Sequence, residues 1–122
     1  MDILIDTHIL LWHLTDNPKL SQQKSELIES AEHKKFLSIA SLWEIAIKTS
    51  IGKLTISQEL DTLIPKEIEI LPIQIPELKI LQPLPMHHKD PFDRLIIAQA
   101  LVRDCHILTN DSQFKNYDIK LV

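Results

Sequence analysis

Hydrophobic positions along the chain alternate between short unbroken runs and longer stretches at helical spacing. "DILI" at 2–5 is an apolar run that stops at Asp6. In "THILLWHL", which follows, Ile9, Leu10, Trp12 and His13 fall at helical rather than strand intervals, so the pattern predicts a strand and then a helix. After the turn "TDNPKLS", residues 21–32 predict a polar amphipathic helix opened by Ser21. "KFLSIA" at 35–40 predicts a second strand, and "SLWEIAIKTSIGKL" from 41 a helix that Gly52, the only glycine, terminates. Residues 55–86 hold five of the seven prolines; there the pattern predicts a short helix near 57–64, a strand at 68–73 and a helical turn or two at 76–82. A helix over 91–103, a strand "HILT" at 106–109, a turn of helix in "DSQF" and a last strand "IKLV" at 119–122 complete the chain. Strands separated by helices predict βαβ units: an α/β fold in three layers, α/β/α, around a mainly parallel sheet of about five strands. Ligands of such sheets bind outside the carboxyl ends of the strands.

That rule sorts the acidic residues. Asp6 directly follows the first strand, and Asp111 lies two residues beyond "HILT". Glu44 is placed three residues into the helix after the second strand, and Asp93 three residues into the helix opened by "DP". All four carboxylates are expected at one edge. Each has a competing explanation when taken alone. Ser41 with Glu44 forms a capping box, and "DPFD" puts Asp90 at the N-cap, Pro91 at N1 and Asp93 at N3. Asp6, with Thr7 as rival, and Asp111 also suit caps or turns. Four independent caps meeting one edge are harder to explain than one acidic site. Ionised carboxylates removed from water cost several kcal/mol apiece unless paired or bound to a metal, and no basic partner is evident. A divalent cation is the expected neutraliser, and all-oxygen ligation suits Mg²⁺ or Mn²⁺ rather than Zn²⁺.

Composition narrows the class without changing this picture. The 122 residues suit one domain spanning 1–122, and 44% hydrophobic with 25% charged residues are ordinary globular values. The N-terminus, acidic at Asp2 and broken by Asp6 and His8, reads neither as a signal peptide nor as a membrane span, which leaves the cytoplasm as the expected compartment. The lone Cys105 forms no internal disulfide and is read as a small core residue. A net charge of −4 gives no general nucleic-acid footprint, so positive charge facing a polyanion has to come from elsewhere.

The segments "LIDTHILLWHL", "SIASLWEIAIKTSIGKL", "LPMHHKDPFDRLIIAQAL" and "HILTNDSQFKNYDIKLV", in that order and spacing, resemble the PIN-domain proteins of the VapC-type toxin family over essentially the whole length. The resemblance implies a compact α/β/α nuclease domain, Mg²⁺- or Mn²⁺-dependent endoribonuclease activity and control by a cognate antitoxin. The family's acidic quartet falls on Asp6, Glu44, Asp93 and Asp111. A further acidic residue frequent after the last of these is missing, since Ser112, Gln113 and Lys115 stand there.

The expected chemistry is phosphodiester hydrolysis by metal-activated water. Asp6, Asp93 and Asp111 are the expected principal ligands, with Glu44 a ligand or the carboxylate that orients the water. Thr7 and Thr109 are candidate supporting hydroxyls, against simple capping or packing. Arg94 is a candidate for contacting substrate phosphate or pinning a site carboxylate, against a surface ion pair. Adjacent His87 and His88 make a poor zinc chelate and are read as loop packing or RNA contacts. Trp12 and Trp43 are read as core or interface residues, and Lys48, Lys53 and Arg103 as a possible RNA path. Apolar stripes on the first and second helices suit a homodimer and an antitoxin helix. A catalytically silent PIN-like binding domain is one alternative. The other is a receiver-like phosphoacceptor, but "FLSIA" and "ILPI" carry no aspartate at their ends.

Overall fold

The computed structural model describes residues 1–122. Five strands, β1 (Asp2–Ile5), β2 (Lys34–Ser38), β3 (Ile68–Leu71), β4 (His106–Leu108) and β5 (Lys120–Leu121), form one sheet in the order β3-β2-β1-β4-β5. Every pairing is parallel. Six α-helices connect the strands: α1 (Thr7–Leu14), α2 (Gln22–Glu29), α3 (Ile39–Ser50), α4 (Leu60–Leu63), α5 (Ile75–Leu81) and α6 (Pro91–Arg103). A 3-10 turn, Ser112–Asn116, lies between β4 and β5. No helix is long and apolar enough to cross a membrane.

The unbroken apolar runs of the strands follow from burial on both faces. Side chains alternate across a strand, so Ile3, Ile5, Leu37 and Leu108 point to one side, where they pack with Ile9 and Leu10 of α1 and Ile28 of α2. Leu4, Phe36 and Ile107 point to the other and pack with Ile96, Ile97 and Ala100 of α6, together with Phe114 and Tyr117. Each fully buried side chain of this size contributes about 1.5–3 kcal/mol. The three-layer α/β/α expectation therefore holds. Cys105 is buried among the second set, as the sequence suggested.

Several boundaries move for identifiable reasons. The second strand ends at Ser38, not residue 40, because Ser38 is the last residue paired with β3, opposite Leu71, and its Oγ accepts from Ala40 N at 3.0 Å, making it the N-cap of α3. Residues 39 and 40 are thus the first turn of α3. The third strand ends at Leu71 rather than 73, where Pro72 has no N–H for the ladder. The helix expected near 57–64 shrinks to the single turn of α4, just before Pro65. The α5 helix is anchored by a capping box in which Gln74 N donates to Glu77 Oε2 at 2.6 Å. Gly52 stands just past α3 with φ +75°, as its helix-ending role requires.

Candidate metal centre

The sheet order reverses direction between β1 and β4, and the residues that follow these two strands begin the site. Ile5 is in register with Leu108, and Asp6 N donates to Leu108 O at 3.0 Å, which brings Asp6 beside Thr109. Thr109 Oγ1 donates to Asp6 Oδ2 at 2.8 Å and accepts from Asp111 N at 3.0 Å. Asp6 occupies the N-cap position of α1, yet its side chain accepts no capping hydrogen bond. Its carboxylate is turned into the site. Asp111 does cap, with Oδ1 accepting from Gln113 N at 2.9 Å, while Oδ2 faces the site.

Helices supply the other two carboxylates. Asp90 Oδ1 accepts from Phe92 N at 2.8 Å and Asp93 N at 3.2 Å, and Pro91 fills N1, so α6 starts where the sequence predicted. This start fixes Asp93 on the first turn, buried. On α3 the buried face is Ala40, Ser41, Glu44 and Ile45. Glu44 therefore takes a position that helical periodicity assigns to the core. Its Oε2 accepts from Lys48 Nζ at 2.8 Å. Ser41 is not a cap; it lies buried one turn before Glu44 and its Oγ accepts from Thr7 Oγ1 at 2.7 Å. The capping-box reading of Ser41 and Glu44 is thereby overturned.

The four carboxylates lie within electrostatic reach of one another. Burial pushes Asp93 up to about 8, and the charges of Asp6, Asp90, Glu44 and Asp111 add to the rise. Asp6 is raised as well, chiefly by burial and further by Glu44, against the opposing hydrogen bond from Thr109 and the charge of His8. Lys48 is held above its ordinary value by its hydrogen bond to Glu44, with Asp90 and Asp93 contributing. Two buried oxygens, Asp6 Oδ1 and Glu44 Oε1, have no hydrogen-bond partner. Buried acceptors left open on charged groups are costly, and a divalent cation would satisfy both. The donor set fits: oxygen ligands on several elements match Mg²⁺ or Mn²⁺. Beside them, Asp6, His8, Trp12, Asn110 and Asp111 line an open cleft.

Other sequence expectations need correction. The acidic cluster is not without basic partners, because Lys48 pairs with Glu44 and His88 reaches two of the aspartates. His88 is not an exposed RNA contact: it is buried in its loop and packed edge-on to Phe114, and beyond that packing its Nε2 lies 2.9 Å from Asp93 Oδ2 and 2.8 Å from Asp111 Oδ2. One donor atom each from His88, Asp93 and Asp111 lies within 4.8 Å of the others. The signal available in the sequence was position, since His88 stands two residues before the N-cap of the helix that carries Asp93. Arg94 neither faces substrate nor pins a carboxylate. It is buried and donates to the carbonyls of Pro85 at 2.8 Å and Leu84 at 3.1 Å, holding the loop that leads to His88. Arg103 is engaged with buried Glu77 at 3.3 Å rather than lining an RNA path. Trp43 is 58% exposed, hence not core, and packs edge-on against Phe92 at 5.2 Å. Lys24 was not anticipated; its Nζ crosses from α2 to donate to Thr109 O at 2.9 Å.

No curated protein matches the sequence. Among solved structures, the chain is similar to VapBC2 from Rickettsia felis bound to a DNA fragment from its promoter, at 17% identity and TM-score 0.75, covering 100% of this chain and 98% of that one. It is also similar to VapBC-1 from nontypeable Haemophilus influenzae, at 18% identity and TM-score 0.69, covering 100% and 97%. A toxin-antitoxin complex from Klebsiella pneumoniae gives 15% identity and TM-score 0.68, covering 98% and 95%. At these identities the likeness establishes the fold. The PIN-domain family model matches residues 3–120, a span that runs from β1 into β5 and includes every carboxylate of the cluster. This chain belongs to the PIN-domain family.

Proposed function

We propose that this chain is a Mg²⁺- or Mn²⁺-dependent endoribonuclease and the toxin of a type II toxin-antitoxin pair, acting in the cytoplasm with residues 1–122 as one nuclease unit. The observation that carries this reading is the pair of unpartnered buried oxygens, Asp6 Oδ1 and Glu44 Oε1, beside an Asp93 pushed up to about 8. Such a cluster is unfavourable for the apo fold and is explained by a cation that the fold is built to receive. Family membership supports the nuclease class, and the toxin-antitoxin complexes among its structural relatives support the pairing with an antitoxin.

In this reading Asp6, Asp93 and Asp111 hold the metal, and Glu44 either joins them or orients the attacking water. Thr109 fixes the rotamer of Asp6, and the ladder contact from Asp6 N to Leu108 O fixes its backbone. When bound, the cation supplies charge neutralisation at the scissile phosphodiester and lowers the pKa of water toward neutrality. The cleft beside Asp6 and Asp111, with His8 and Trp12 on its wall, is the proposed path for RNA. Ile39, Trp43, Ile47 and Ile51 form an exposed apolar stripe at four-residue spacing along α3, which suits the proposed antitoxin helix or a second copy in a homodimer. The stripe is on α3, not on α2, whose outer face is polar.

A silent binding domain has less support, because such a protein has no need of four converging carboxylates. A receiver is disfavoured by Ser38 and Leu71, which stand where β2 and β3 end. The test is to incubate the purified chain with total cellular RNA, with and without Mn²⁺ or Mg²⁺, and to induce wild type and Asp6→Asn in a host. Metal-dependent cleavage and growth arrest that Asp6→Asn abolishes are expected. Intact RNA under every metal condition, with equal growth inhibition by both proteins, would sink the enzyme reading. Mapping RNA ends after brief induction identifies the target.

A further inference from the structure

His88 is the buried group that the proposed mechanism leaves without a task. Its Nε2 lies 2.9 Å from Asp93 Oδ2 and 2.8 Å from Asp111 Oδ2, which has the look of a third metal ligand. The other ring nitrogen points to a different role. Asp90 N donates to His88 Nδ1 at 3.1 Å, so the Nδ1 lone pair is already engaged. A proton on Nδ1 would stand against that N–H. The ring proton is therefore on Nε2, between the two carboxylate oxygens, where a ligating imidazole would need its lone pair. Metal-bound histidines show the reverse arrangement: the nitrogen away from the ion donates its N–H to a carbonyl or carboxylate.

The surroundings fix the ring in this state. His88 N donates to Tyr117 Oη at 2.8 Å, and Tyr117 Oη donates to Pro85 O at 2.6 Å. Arg94 grips the same Pro85 carbonyl at 2.8 Å, and the imidazole stands edge-on to Phe114 at 5.5 Å. Asp90, whose N–H selects the tautomer, also caps α6 through Phe92 N and Asp93 N. One residue thus sets both the start of the helix that aims Asp93 and the proton that meets it.

We propose that His88 is a positioning residue, a fixed N–H donor strapped across Asp93 and Asp111 that holds the two carboxylates together for the ion without ligating it. Once both are ionised to bind the metal, Asp93 and Asp111 repel, and the His88 side chain lies against both. A three-centre hydrogen bond from one Nε2–H keeps both Oδ2 atoms at a set approach. The inference rests on the reading that these carboxylates bind a divalent metal.

The test uses the full chain and Mn²⁺ alone. Electron paramagnetic resonance of unbound Mn²⁺ gives the affinity, and pulsed measurements on the bound ion report any directly bonded nitrogen. The expected result is Mn²⁺ binding by wild type with no imidazole nitrogen in its coordination sphere. His88→Leu should weaken binding by about 10–100-fold, as loss of a group that orients ligands does. His88→Gln, which keeps an N–H donor, should recover most of that loss. Circular dichroism confirms the fold of each variant, and if His88→Leu fails to fold, the wild-type spectrum and the His88→Gln affinity still decide. A directly bonded imidazole nitrogen in wild type overturns the proposal, as does unchanged affinity in His88→Leu or a His88→Gln no better than His88→Leu. Failure of wild type to bind Mn²⁺ overturns the metal reading and this inference together, so the two failures are told apart.

Discussion

Asp93 concentrates the electrostatic cost of the site. Its carboxyl titrates near 8 in the folded chain against an ordinary 3.8, because burial and four neighbouring carboxylates disfavour its charge. A folded-state value above the unfolded one contributes stability that is fully present below the unfolded pKa and disappears as pH rises through the folded one. Asp6 is shifted in the same direction. The metal-free protein is therefore expected to lose stability as pH rises from about 4 to about 8, read as a falling Tm in EDTA by circular dichroism. Asp93→Asn removes the ionising group and should raise metal-free stability by about 1 kcal/mol or more above pH 8 while abolishing Mn²⁺ binding. Metal affinity itself should rise over the same range, since the ligands must be deprotonated. A metal-free Tm that is flat or climbs with pH would contradict the raised value.

Among the elements, α3 and α6 show how local rules aim a side chain. Both begin at side-chain caps, Ser38 and Asp90, and each cap fixes the rotation that turns Glu44 or Asp93 inward. For α6 the sequence was sufficient, because "DP" admits one start and the helix spans the expected 91–103. For α3 it was not, since both Ser38 and Ser41 suit a cap. Strand pairing opposite Leu71 and the burial of Ser41 against Thr7 decide for Ser38. At its other end α3 stops at Gly52, whose φ of +75° is strained for any residue with a Cβ. A Cβ there would meet nothing within 4 Å, so Gly52→Ala tests the backbone alone. A loss of about 1 kcal/mol, seen as a lower urea midpoint, is expected, with Mn²⁺ affinity unchanged because Gly52 lies beyond the C-terminal end of α3, two turns past Glu44. A stabilised variant would show that the left-handed turn is not what ends the helix.

For the whole molecule, the proposed function sets stability and metal binding against one another through a single cluster. Carboxylates from the residue after β1, from α3 and α6 and from the segment after β4 are brought together by a parallel sheet whose strand order reverses at β1 and β4. An ion that binds only the assembled cluster should stabilise the fold by mass action, by about 2.7 kcal/mol at one hundred times its Kd. The corresponding rise in Tm with added Mn²⁺, followed by differential scanning fluorimetry, should vanish in Asp6→Asn. An equal rise in that variant would place the ion elsewhere.

Periodicity, turn residues and helix-start chemistry are local, and with the carboxyl-edge rule they were enough to determine the alternation of strands and helices, the parallel sheet and the four carboxylates that gather at its edge. Interactions between residues far apart in the chain were not legible. Arg94 becomes a loop clamp only because the carbonyls of Leu84 and Pro85 fold over it. His88 looked unremarkable beside His87. Its role depends on Asp111, twenty-three residues away, and on an N–H at Asp90 that selects which nitrogen carries the proton. Hydrogen-bond direction and tautomer are properties of assembled groups, so tertiary structure alone decides them.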